Sequence, residues 1–195
     1  MKKVLLLAIM GLIGSKLHAQ EFKHGVGTGF MFSVTPGTEE TKSLITLNYY
    51  PRVNIPLSNA TSIAVGVPLG FGFGGSFYTG SSENSNSFNF EINAPVMAEF
   101  NFGAGAVKSY HKKFGAFVGA GFGMHYQHYN SNVEYTGYPK MTFNHNQTGY
   151  GPAGSLGVRF GVGRGMHNIE IRTSYMRTLG DDGGNIVGTS CLFNF

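Results

Sequence analysis

Charge is scarce in this chain. Of its 195 residues only 12% are Asp, Glu, Lys or Arg, against roughly 25% in ordinary soluble domains. Tryptophan is absent and cysteine occurs once, as Cys191, so no intramolecular disulfide can form. A chain of this length must then be held together by its secondary structure rather than by covalent staples. No polar linker divides the sequence, which fits one domain. A mean hydropathy of -0.05 excludes a bundle of membrane helices. The apolar run from Val4 to about Ile13 is likewise shorter than the about 20 residues a helical span needs.

What the chain has instead is 30 Gly, 17 Phe and 10 Tyr. Lys2 and Lys3, the apolar run behind them, and the segment Gly14 to Ala19 ending on a small residue have the form of a secretory signal peptide cleaved after Ala19. The division is therefore residues 1–19 as signal peptide and 20–195 as a single barrel domain. No Cys stands near the cleavage point, which argues against a lipid anchor. Residues 1–19 carry Lys2, Lys3 and Lys16 and no acid, so without them the excess of basic over acidic residues falls from four to one. The basic balance thus gives no reason to infer a nucleic-acid partner.

Alternation with period two runs through the rest. From Ile63 to Phe73 every odd position is large and apolar while the even ones are Ala, Gly or Pro, the signature of a strand with one greasy face and one nearly bare. The same plan predicts strands at Gly25 to Val34, about Lys42 to Leu57, Ser62 to Phe73, Phe88 to Phe102, Phe114 to Tyr126, Tyr150 to Val162, Asn168 to Tyr175 and Asn185 to Phe195. The count is eight, and a tilted membrane crossing requires about 9 to 11 residues. Alternating long and short connections, with the one after the fourth strand as the exception, suit an outer-membrane barrel with both termini in the periplasm. The fold class is all-β, an eight-stranded antiparallel up-and-down transmembrane barrel. Residues 74–87 and 129–147 are predicted to be long surface loops. Pro51, Pro68, Pro95 and Pro152 fall inside strands, where each removes a ladder donor, so bulges or breaks are expected there.

The bulky registers carry no charge at mid-strand, as contact with lipid requires. Their aromatics group at the two strand ends, as membrane girdles do: Phe32, Phe71, Phe73, Phe88, Phe90, Tyr126 and Tyr150 at one, Phe100, Phe102, Phe114, Phe160, Phe193 and Phe195 at the other. The opposite register holds Gly and charge, which suits a polar lumen and neither solvent contact nor an apolar core.

The Tyr-Pro-Arg-Val-Asn-Ile segment at 50–55, the Ala-Pro-Val-Met-Ala-Glu-Phe-Asn-Phe-Gly segment at 94–103, the Gly-rich strand 115–123 and the terminal Phe195 resemble the small outer-membrane β-barrels of Gram-negative bacteria, a family that includes the outer-membrane protein A/X-like and PorT-like barrels. The resemblance covers about residues 22–195. It implies recognition by the barrel-assembly machinery through a C-terminal aromatic signal, here Phe193 and Phe195 with Cys191 in register, and a surrounding of outer-membrane lipid. The absence of Trp departs from many such barrels.

The inward register contains Arg52, Glu91, Glu99, Arg159, Glu170 and Arg172. Three acids and three bases in a narrow interior are expected to pair as a structural ion network rather than act as a catalytic carboxylate pair. The lumen of eight strands is one that side chains fill. His125 and His128, three apart on a strand, fall on opposite faces and form no metal site by spacing. The glycine-rich stretches lack the strand-to-helix context of phosphate binding. No cofactor is implied. The leading functional reading is a non-enzymatic barrel whose loops at 74–87 and 129–147 contact other molecules at the cell surface. The alternatives are a lipid-modifying enzyme, with His128 as base at the rim, and a secretion accessory or small channel.

Overall fold

A computed structural model describes residues 20–34, 41–79, 83–108, 113–135, 141–163, 167–180 and 183–195. Residues 1–19, read above as a signal peptide, lie outside these. The described chain is all strand and turn: β1 (Glu21–Val34), β2 (Thr41–Pro56), β3 (Thr61–Gly66), β4 (Leu69–Thr79), β5 (Glu83–Gly103), β6 (Phe114–Tyr135), β7 (Met141–Gly161), β8 (Asn168–Arg177) and β9 (Asn185–Asn194). All pairings are antiparallel, and β1 pairs with both β2 and β9, closing the sheet. Closure matters because an open sheet would leave a row of unpaired N–H and C=O groups. Segments β3 and β4 share one place between β2 and β5, so the ring has eight staves.

Alternation sets the two surfaces. Outward positions such as Phe30, Leu47, Val65, Val96, Val118, Phe122, Leu156, Ile171 and Phe193 are exposed, while inward neighbours such as Met31, Thr46, Ala64, Met97, Phe117 and Arg172 are buried. The barrel is thus apolar outside and largely polar inside. Phe100, Phe102, Phe114, Phe160, Phe193 and Phe195 are exposed near the end where the described chain begins and finishes, and Phe32, Phe73 and Tyr150 are exposed towards the other. These will be called the terminal end and the hairpin end.

Two expectations about the staves are corrected. The stretches 74–87 and 129–147 are not loops over most of their length. Strand β4 continues to Thr79 and meets β5 down to Thr79 opposite Asn84, and β6 and β7 stay paired from His128 opposite Asn146 to Val133 opposite Met141. Their Gly, Ser and Asn content hid this. Past the apolar band a ribbon needs only cross-strand backbone bonding, so no alternation marks it.

Proline is the second correction. The third stave does break at Pro68, with Val67 N–H donating to the Pro51 carbonyl at 3.1 Å. The register nevertheless runs without shift through Pro51 opposite His24, Pro95 opposite Gly123 and Pro152 opposite Phe122. A strand residue offers its N–H to one neighbour only, so a proline can cost one ladder bond without displacing the register. On either side of the break Gly66 lies opposite Met97 and Gly70 opposite Asn93. That common register sets Pro68 across from Pro95, and two missing donors coincide in a single gap.

Candidate functional site: the charged lumen

The lumen is built in tiers. At the terminal end the residues that follow β5 turn into the mouth, burying Ala104, Ala106 and Val107. Gly103 and Gly105 take φ of 78° and 77° there, a left-handed backbone natural to glycine. A side chain at Gly105 would also meet the Asn168 amide at 2.8 Å. Asn54 donates to the carbonyls of Gly105 and Ala106 at 3.1 Å each, and Lys23 Nζ donates to Gly105 at 3.0 Å. The charge on Lys23 is met by Glu21 at 3.2 Å.

The next tier holds the ions. Glu170 on β8 receives Arg159 Nε at 2.7 Å, Arg172 Nη2 at 2.7 Å and Arg52 Nη1 at 3.3 Å. Glu99 on β5 pairs with Arg172 Nη2 at 3.2 Å and with Arg159 Nη2 at 3.7 Å. Neutral groups complete the shell: Ser155 donates to Glu99 at 3.1 Å, Arg159 Nη1 donates to Asn101 at 2.7 Å, and Asn194 donates to Glu170 at 3.2 Å. Arg52, Arg159, Glu99 and Glu170 are at most 1% exposed. Burial at that depth is tolerable only with this degree of pairing.

Of the six charged residues singled out in the sequence, the structure therefore joins five. Glu91 stands apart towards the hairpin end, 3.5 Å from His125 Nε2. The cluster then has three guanidinium groups for two carboxylates, and aromatic faces take part of the excess. Arg172 lies between the rings of Tyr50 and Phe117 at 4.5 and 4.4 Å, Arg52 lies over Tyr50 at 4.7 Å, and Arg159 over Phe117 at 4.5 Å. A ring face is a weak negative pole, and its attraction for a cation grows when water is excluded. Sequence reasoning missed both rings, although Phe117 was legible as a lone aromatic between Gly115 and Gly119. Opposite it, Gly157 leaves the space, since a Cβ there would come within 2.6 Å of the ring.

Above the ions the filling turns apolar, with Met31, Met176 and Ile186 packed together and Leu44 and Met97 also buried. A cavity of about 170 Å³ opens at the hairpin end, lined by residues including Ser33, His125, Gln127, Gln147 and Thr178. Among the described residues no three His, Cys, Asp or Glu side chains converge as a metal centre. His128, the candidate base, is half-buried at the rim and its Nδ1 is hydrogen-bonded to Asn146. Phe193 and Phe195 close β9 on the outer face, where Phe195 stacks on His24 at 5.6 Å and Phe193 on His167 at 5.6 Å.

An apolar exterior around a buried, ion-paired interior, closed into a ring by antiparallel strands, inverts the soluble plan. The chain has the architecture of a small outer-membrane β-barrel. No family model matches it and no curated protein does. Solved structures similar to this barrel include the attachment invasion locus protein Ail of Yersinia pestis, 11% identical over 91% of this chain and 99% of that one with a TM-score of 0.47. Neisserial surface protein A is 11% identical over 90% and 96% with a TM-score of 0.47. The N-terminal barrel domain of Pseudomonas aeruginosa OprF is 13% identical over 91% and 99%, at 0.44.

Proposed function

We propose that the protein is a non-enzymatic integral barrel of the Gram-negative outer membrane, exported by residues 1–19, with a lumen closed to solutes and with its hairpins presented to other molecules at the cell surface. The observation that carries the reading is the pairing of surfaces: a continuous apolar exterior, and an interior where Arg52, Arg159 and Glu170 are at most 1% exposed. Outside a bilayer the first would aggregate. Across a conducting pore the second would be hydrated. The folded connection at Ala104 to Val107 supports closure at the terminal end, which faces the periplasm in this orientation. Phe193 and Phe195, exposed at the end of β9, serve the assembly machinery as its signal.

The strands of the hairpins β4–β5 and β6–β7, paired to Thr79 opposite Asn84 and Val133 opposite Met141, support the surface role by offering long backbone ribbons beyond the apolar band. The test is conductance of the refolded protein in planar bilayers, where no sustained open state is expected. Steady channel steps would overturn the closed lumen. An epitope inserted between β6 and β7 is expected to be stained on intact cells, and staining only after permeabilisation would reverse the orientation.

A further inference from the structure

Glu91 and its surroundings take no part in the ionic cluster that fills the lumen. Strands β5 and β6 bring four inward polar side chains together there, with Glu91 directly opposite Gln127 and Asn93 directly opposite His125. His125 and Gln127 are 5% and 6% exposed and Glu91 is fully buried. Both ring nitrogens of His125, the Asn93 Oδ1 and the Gln127 Nε2 are buried with no hydrogen-bond partner among the described residues. Buried polar atoms are ordinarily satisfied, and a local concentration of them without protein partners suits a bound water or ion. His125 and Gln127 also line the cavity of about 170 Å³ that opens towards the hairpin end, so the group is reachable from that side.

The geometry points to a site for one divalent transition-metal ion of the zinc type, bound by Glu91 and His125 with Asn93 beside them. The Glu91 Oε2 and His125 Nε2 are 3.5 Å apart. Two donors each about 2.1 Å from a tetrahedral zinc ion are separated by nearly that distance. One carboxylate, one imidazole and one amide oxygen form a mixed N/O set suited to zinc, nickel or cobalt rather than to calcium or magnesium, which take oxygen donors in larger number. Water from the cavity completes the coordination, leaving an exchangeable site rather than a structural one.

The test is calorimetric titration of Zn²⁺ into the refolded barrel in detergent micelles, in a Cys191→Ser background because that thiol is exposed. One ion per barrel is expected, with affinity at least about tenfold weaker in Glu91→Gln and in His125→Phe and unchanged in His128→Gln; a tenfold change is about 1.4 kcal/mol. The heat-dependent shift in gel mobility checks folding, and the near-isosteric Glu91→Gln decides the matter if His125→Phe does not fold. Absence of binding in the parent, equal affinity across all variants, or loss confined to His128→Gln would overturn the site.

Discussion

Glu170 is the residue on which the interior depends most. Its two oxygens receive Arg52, Arg159 and Arg172, and no other described side chain meets all three. Glu170→Gln keeps the shape and removes the charge, leaving three buried guanidinium groups facing Glu99. Breaking a buried pair by removing one partner costs about 3–5 kcal/mol. That loss is expected in urea unfolding in micelles, and a loss below about 1 kcal/mol would mean the arginines are balanced in another way. On the outer face the sign of a charge substitution distinguishes lipid from water. Leu156 is 61% exposed, so Leu156→Arg would be nearly silent in a soluble barrel. With its side chain in hydrocarbon near mid-bilayer it is expected to cost about 2–4 kcal/mol. Equal stability of the two proteins in lipid vesicles would place this face in water.

At the scale of the strand, the break between β3 and β4 is the local weakness. Val67 reaches Pro51, while Pro68 and Pro95 face each other with no donor on either. Hydrogen exchange within the apolar band is expected to be fastest at Val67, Leu69 and Val96, and Pro68→Ala is expected to slow it by supplying a donor. Uniformly slow exchange across the third stave would show the break to be bridged. The strands were readable wherever one face met lipid, because Ile63 to Phe73 or Phe88 to Phe102 must alternate to present that face. Reading failed where this pressure ends. The ribbons beyond Gly74 and His128 stay paired in register with no lipid-facing alternation to reveal them, so they looked like loops. The partners within the lumen were legible only as a set: alternation turned Arg52, Glu99 and Arg172 inwards but not towards each other. The separation of Glu91 follows from its height along β5, eight residues from Glu99 and opposite Gln127, and it becomes visible only once the registers are known. Alternation puts Tyr50 in the register of Arg52, but its role as a floor for two arginines shows only in the structure.

At the scale of the whole molecule, everything rests on inversion: an outside made for hydrocarbon and an inside lined with paired charge and buried side chains. Cys191 offers a native reporter of that inversion. It is exposed on β9, opposite Thr28 on one side and Ile171 on the other, within the apolar band and away from both mouths. The direct measurement is a bimane label on Cys191 in the barrel refolded into vesicles whose acyl chains carry bromine near their midpoint. Strong quenching by the brominated chains, with no quenching by iodide in the water phase, is expected. Iodide quenching without bromine quenching would put the outer face in water and contradict the membrane barrel.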